Sequence, residues 1–296
     1  MIKRSYFKSS TLPYLLIFPQ ILVTITFFYW PAIQGIIQSF LLSDPFGRRS
    51  TFVWFYNYIE LFSDPLYLKS ILITSVFSLA TAAVSISLGL FIAAMANRAL
   101  RAKALVRTML IWPYAVAPAI SGIMWLFLLH PSYGVVALGI KKWFGLDWNP
   151  VLYGSDAMIM IVMASAWKEV SYNFVFFMAG MQAVPKSLIE AAAIDGAGPF
   201  RRFWTITLPL LSPTFFFLMV MNIIYSFFET FGIIHTVTQG GPGGSTNILV
   251  YKVYQDGFVG LNLGSSSAQS VVMMAMIILI TFFQFKFVEK KVQYSG

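Results

Sequence analysis

Lys168 and Glu169 sit side by side in the middle of an otherwise apolar stretch at about 157–181, and Tyr172 and Asn173 follow them. A second polar group, Asn222, Tyr225, Ser226 and Glu229, recurs at i, i+3, i+4 and i+7 in the apolar stretch at about 210–234, which is the spacing of one helical face. An amine, carboxylates, phenols and amides in such places can bind a polar solute or an ion through charge and hydrogen bonds. Successive residues of a helix point about 100° apart, so Lys168 shares a face with Tyr172, Glu169 shares one with Asn173, and the two charges look to different partners. Catalysis fits poorly. Cys is 0, which removes thiolate nucleophiles, thiolate metal sites and disulfides. The 2 histidines, His130 and His235, fall near the ends of apolar stretches, where a solvated or interfacial imidazole is the default. The 11 acids are dispersed, with no D-x-x-D pair inside an apolar stretch, so no metal site is expected. No G-x-x-x-x-G-K-[ST] string occurs, so ATP hydrolysis by a P-loop is excluded.

The elements that carry these residues follow from composition. With 58% hydrophobic and 10% charged residues, including 29 Phe and 14 Tyr, the chain falls far below the roughly one-quarter charged that a soluble globule uses. Lipid is therefore the expected solvent. A transmembrane helix needs about 20 mostly apolar residues, and such stretches occur at about 12–38, 70–96, 105–129, 157–181, 210–234 and 267–288. The expectation is an all-α integral membrane protein of about six transmembrane helices forming one domain over residues 1–296. The first stretch follows Lys3, Arg4 and Lys8 like a signal peptide, but it runs past Pro19 and Pro31 without a small-residue cleavage site, so it is expected to be retained. Pro113 and Pro118 predict a kink in the third stretch, and Ser78, Thr81 and Ser85 predict close helix packing by the second. In lipid each buried charge costs about 2.5–3.5 kcal/mol on insertion scales, and the stripe from Asn222 to Glu229 must line either a water-filled path or a helix interface.

The net charge of +9 makes no basic face for nucleic acid, because the basic residues are scattered between apolar runs. They read as topology. Of the 20 basic residues, thirteen lie in the N-terminus, the second and fourth connections and the tail, six lie in the alternate connections, and Lys168 is the remaining one. The positive-inside rule then places both termini in the cytoplasm. The outer connections carry Trp54, Tyr56, Tyr58, Trp143 and Trp148, either as an interfacial belt or as a docking surface.

The cytoplasmic connection 182–209 is too apolar for a solvated loop. Pro185 can open a helix, residues 186–194 are mostly good helix formers, and Asp195-Gly196 supplies a left-handed C-terminal turn. Pro199 restarts a second short helix expected to run through Thr207 and to stop at Pro209. Ala191, Ala192 and Ala193 leave almost no side chain on the first helix, while Leu188 and Ile189 offer apolar anchors one turn away. Neither helix can span a bilayer, so this face rests on the membrane underside or inserts into another protein's groove.

Glu190-Ala191-Ala192-Ala193-Ile194-Asp195-Gly196-Ala197, followed by Phe203, Ile206, Leu208-Pro209 and Pro213, resembles the E-A-A…D-G-A…L-P signature of permease subunits of binding-protein-dependent ABC importers. The resemblance covers nearly the whole chain and is close to the maltose-type sugar permeases. Within that group it is most similar to members that take up sn-glycerol-3-phosphate, through Trp112-Pro-Tyr-Ala-Val-Ala-Pro118, Ser171-Tyr-Asn-Phe174, Ala192-Ala-Ile-Asp-Gly-Ala-Gly-Pro199-Phe-Arg-Arg-Phe203 and Ser266-Ser-Ala-Gln-Ser-Val-Val-Met-Met274.

The resemblance implies the type I ABC importer permease (MetI-like) fold in the bacterial inner membrane, without a cofactor or enzymatic activity of its own. It implies a companion permease, two ATPase subunits that bind the ATP, and an extracytoplasmic solute-binding protein. Position by position, Glu190, Ala191, Ala192, Ala193, Asp195, Gly196, Ala197, Leu208 and Pro209 inherit the coupling role toward the ATPase, and the Gly240-Gly-Pro-Gly-Gly244 turn inherits contact with the loaded binding protein. The implied solute is glycerol-3-phosphate or a glycerophosphodiester, carried by alternating access. The same machine importing a neutral sugar is the alternative. From other classes come a self-sufficient secondary carrier, which needs its own ion site and usually more spans, and a membrane-embedded enzyme. Two roles stay open for the mid-span polar residues. Lys168 pairs with Glu229 or with a carboxylate of the companion permease and fixes packing, or Lys168, Tyr172 and Asn173 attract a phosphate or hydroxyls in transit, with Glu229 aiding binding or release.

Overall fold

A computed structural model of the chain describes residues 11–44, 49–98 and 103–289. Lys3, Arg4, Lys8, Arg48, Arg101, Lys290 and Lys291, which enter the charge-based orientation, lie outside the described residues. In chain order the helices are α1 (Leu12–Gln38), then, after strands β1 (Leu41–Ser43) and β2 (Ser50–Phe52), α2 (Tyr56–Ser63), α3 (Pro65–Arg98), α4 (Lys103–Ala115), α5 (Pro118–Leu129), α6 (Val135–Phe144) and α7 (Gly154–Ala183). There follow α8 (Lys186–Ile194), α9 (Pro199–Leu210), α10 (Ser212–Phe228), α11 (Phe231–Val237), α12 (Leu249–Tyr254) and α13 (Leu263–Phe287).

Among the described residues, α1, the Pro65–Ala96 part of α3, and α13 are each long and apolar enough to cross a membrane. Two bent pairs, Thr108–Ala115 with α5 and α9 with α10, have that character only when joined. The 30 residues of α7 have the length, and Lys168, Glu169 and Asn173 reduce their apolarity.

The chain divides into two compact units, Met1–Asp64 with Val253–Val272 and Pro65–Lys252 with Met273–Gly296. In the first, the 27-residue α1 buries none of its side chains, and Leu15, Phe18, Phe27 and Trp30 point away from this chain. Such a surface is stable against lipid or another apolar partner, not against water. Past its end the β1–β2 hairpin pairs Leu41 with Phe52, and the Asn57 amide donates to the Ser39 and Leu41 carbonyls at 2.8 and 3.0 Å.

The second unit is built on α3, α7 and α10, which bury Tyr67, Phe77, Phe174, Phe177, Leu218 and Phe227. Gly89 of α3 faces Asn173 of α7, and an added Cβ would lie 2.6 Å from the Asn173 Cβ. The missing side chain lets the two helices approach at the level of the mid-span polar residues.

Two expectations need correction. The third apolar stretch is not kinked but broken into α4 and α5, which meet at 106°. The residue before a proline is driven out of the helical region, and Ala117, at φ −60° and ψ 142°, has left it just before Pro118 opens α5. Pro209 likewise does not stop α9, which continues to Leu210 before a 66° bend into α10. A wide π-turn over Phe203–Thr207 precedes it, giving its ring room against the carbonyl one turn back.

Candidate functional site

The break between α4 and α5 leaves backbone carbonyls without helical partners. Lys168, at the middle of α7, answers them: its Nζ donates to the Tyr114 carbonyl at 3.1 Å and to the Val116 carbonyl at 2.5 Å, and lies 5.6 Å from the centre of the Tyr114 ring. A cation at a helix C-terminus is favoured by the helix dipole, and the last turn of α4 contains no basic residue of its own. Among the described residues no carboxylate lies within ion-pair distance of Lys168, Glu229 included. Its strongest contacts are backbone oxygens that no spacing rule links to it.

One turn along the same face, the Tyr172 ring stacks on that of Tyr114 at 5.7 Å and meets Phe176 at 4.7 Å. Phe176 in turn contacts Phe217 of α10 at 5.1 Å. The Tyr114 and Tyr172 rings form one wall of a small open cleft of about 50 Å³, lined by Tyr114, Glu169, Tyr172, Met221, Ile224, Tyr225 and Glu229. Tyr114 was missed by sequence reasoning. Its signal was its place between Pro113 and Pro118, where a break exposes side chains that a continuous helix would pack.

The remaining stripe residues turn elsewhere. Asn173 and Asn222 exchange amide hydrogen bonds of 3.2 and 2.8 Å, the Ser85 hydroxyl donates to the Asn222 oxygen at 2.6 Å, and the Asn222 amide also donates to the Leu218 carbonyl. All three side chains are buried. This satisfied network joins α3, α7 and α10 in the way polar glue joins helices in lipid. Ser226 is also buried, and its hydroxyl returns a hydrogen bond to the Asn222 carbonyl at 2.8 Å. Of the eight mid-span residues singled out from sequence, Glu169, Tyr172, Tyr225 and Glu229 meet in the cleft, Lys168 borders it facing the break, and Asn173, Asn222 and Ser226 lie in the helix interface.

The connection 182–209 folds as two short helices around Gly196. Ala197 N–H donates to the Ala192 carbonyl at 2.9 Å and Gly196 N–H to the Ala193 carbonyl at 3.1 Å, the paired bonds of a Schellman turn, with Gly196 at φ +80°. Glu190, Ala191, Ala193, Asp195 and Gly196 are exposed, while Ala192, Ala197, Leu208 and Pro209 are half-buried. Ile194 is 88% exposed at the tip, and Phe200 and Trp204 are also exposed. Arg202 donates from Nη1 to the Ile189 carbonyl at 3.4 Å, tying α9 back to α8. An apolar knob held by its own turn results, and none of the described residues covers it.

Residues 85–294 match the family described as the binding-protein-dependent transport system inner membrane component. The chain belongs to that family. This inner membrane component is 56% identical over 289 residues to the sn-glycerol-3-phosphate transport system permease protein UgpA of Brucella abortus biovar 1 (strain 9-941), covering 98% of both chains. It is 56% identical over 293 residues to UgpA of Rhizobium meliloti (strain 1021), covering 99% of this chain and 100% of that one. With UgpA of Yersinia pestis it shares 49% identity over 292 residues, 99% of each. In fold, the permease matches a bacterial ABC transporter involved in the import of the acidic polysaccharide alginate, with a TM-score of 0.82 at 21% identity over 95% of this chain and 96% of that one. It also matches an amino acid ABC transporter, with a TM-score of 0.54 at 15% identity over 81% of this chain and 100% of that one. The family and these relatives make it a transport component of the inner membrane and not an enzyme.

Proposed function

We propose that this permease, acting as a single membrane domain, forms part of the path for sn-glycerol-3-phosphate or glycerophosphodiesters. In this reading it pairs with a second permease, receives solute from a soluble binding protein outside the membrane, and is driven by two cytoplasmic ATPase subunits that bind the ATP. The observation that carries the substrate is the 49–56% identity, over nearly the full length, to permeases named for sn-glycerol-3-phosphate. Both termini lie in the cytoplasm, as the distribution of basic residues favours.

Coupling is assigned to Glu190, Ala191, Ala192, Ala193, Asp195, Gly196, Ala197, Leu208 and Pro209. The uncovered apolar knob around Gly196 supports that assignment, since a short helix with an alanine face suits a groove in a partner protein. Movement of the ATPase pair would be passed through α8 and α9 to α10, switching access from one side to the other. The Gly240–Gly244 turn is the proposed contact for the binding protein, and it is anchored on α3 by Lys69 Nζ donating to the Gly243 carbonyl at 3.3 Å. The path runs by the cleft of Glu169, Tyr172, Tyr225 and Glu229. Import of a neutral sugar is the second reading, favoured by the two carboxylates in that cleft, which do not attract a phosphate.

The test is ATP hydrolysis by the co-purified complex in proteoliposomes, with its binding protein loaded with glycerol-3-phosphate or with a neutral disaccharide. Stimulation by the phosphate ester alone is expected. Stimulation by the sugar alone overturns the substrate, and failure to co-purify any ATPase overturns the machine.

A further inference from the structure

The cleft contains two deeply placed polar groups that the fold leaves unanswered. Tyr225 is 6% exposed, and its hydroxyl has no hydrogen-bond partner among the described residues. Glu169 is 4% exposed, and none of the described residues donates a hydrogen bond to it. The Tyr225 hydroxyl is fully buried without a partner, an exception that calls for an explanation, while Glu169 is reached only from the cleft. Both groups line the same cleft, so a ligand that enters it can satisfy them together.

A ligand that donates to the carboxylate and accepts from the phenol satisfies both. An aliphatic hydroxyl does both. The stacked Tyr114 and Tyr172 rings, 5.7 Å apart, add an apolar wall on which the carbon chain of a small polyol can lie. A phosphate dianion can accept from the phenol but has no proton to donate to the carboxylate, and Glu229 stands on the cleft with Glu169, where like charges at close range repel. The Lys168 ammonium is committed by hydrogen bonds to the Tyr114 and Val116 carbonyls, so it acts on the cleft through space and not as a direct donor to a phosphate there.

We propose that this cleft is the subsite for the hydroxyl-bearing carbon end of the transported solute. Glu169 accepts from and Tyr225 donates to its hydroxyls, and the phosphate is held outside this cleft. The assignment rests on the reading that the solute is glycerol-3-phosphate.

Uptake by the complete transporter in proteoliposomes is measured for glycerol-3-phosphate and for its two deoxy analogues, propane-1,2-diol 1-phosphate and propane-1,3-diol monophosphate. The wild type is compared with Glu169→Gln and Tyr225→Phe, using complexes that co-purify intact. The binding protein's own preference enters both arms and cancels in the variant-to-wild-type ratio for each solute. Glu169→Gln is expected to reduce the efficiency of glycerol-3-phosphate uptake about tenfold, the loss of a hydrogen bond to a charged group. For at least one deoxy analogue the loss should be under about twofold, because the contact is already absent. Tyr225→Phe, which removes one oxygen and preserves packing, should show the same selectivity with a smaller loss. Equal losses for all three esters, no loss, or a gain for glycerol-3-phosphate through relief of repulsion overturns the hydroxyl assignment alone. Absence of glycerol-3-phosphate uptake by the wild type overturns the substrate reading, and the assignment falls with it.

Discussion

Replacing Lys168 by Met would leave the Tyr114 and Val116 carbonyls without their donor at the break between α4 and α5. An acceptor stripped of its donor costs about 1–3 kcal/mol when fully buried, and less at this partly buried break. The melting temperature of the purified complex is expected to fall, with partial recovery in Lys168→Arg, whose guanidinium can still donate. The maximal uptake rate should fall only in proportion to the intact complex. An unchanged melting temperature, or normal stability with lost transport, would move Lys168 from the break to the path. The presence of Lys168, Glu169, Asn173 and Asn222 in apolar stretches was legible in the sequence, because charge and amide groups stand out there. Their partners were not. Asn173 and Asn222 hydrogen-bond each other across α7 and α10, and a stripe on one helix does not say whether it faces a neighbour or a path.

At the level of elements, the connection around Gly196 was the most legible part of the chain, because a Schellman turn is local: it needs a few helix formers, then a residue free to adopt φ > 0. The structure has Gly196 at φ +80°, and nothing lies within 4 Å of the position a Cβ would occupy. Gly196→Val should therefore act through backbone conformation and not by collision, costing roughly 1–2 kcal/mol locally. The expected outcome is a several-fold loss of co-purified ATPase subunit with an unchanged yield of the permease itself. Normal co-purification and normal uptake would remove the turn from the coupling interface. The break between α4 and α5 was half legible. Pro118 marks where the helix must stop, but the 106° turn depends on where α5 packs against α11.

For the whole molecule, the proposed orientation can be tested directly, since the chain contains 0 cysteines to replace. Thr51 and Ser187 are exposed and fall on opposite sides of the membrane in the charge-based topology. A membrane-impermeant maleimide is expected to label Thr51→Cys in intact spheroplasts and Ser187→Cys only after permeabilisation. The reverse pattern would invert the permease and exclude the coupling assignment. Lipid as solvent, the helical class and the positions of the apolar stretches were determined by the sequence alone, because composition, hydropathy and proline or glycine punctuation act within a few turns of chain. The tertiary structure decided which polar groups meet. Lys168 reaches carbonyls 54 and 52 residues away, and Glu169, Tyr225 and Glu229 converge on one cleft while Asn222 and Ser226 do not. Periodicity orients a side chain about its own helix axis. What stands opposite depends on the rotation, crossing angle and breaks of neighbouring helices, which are set by packing across the fold.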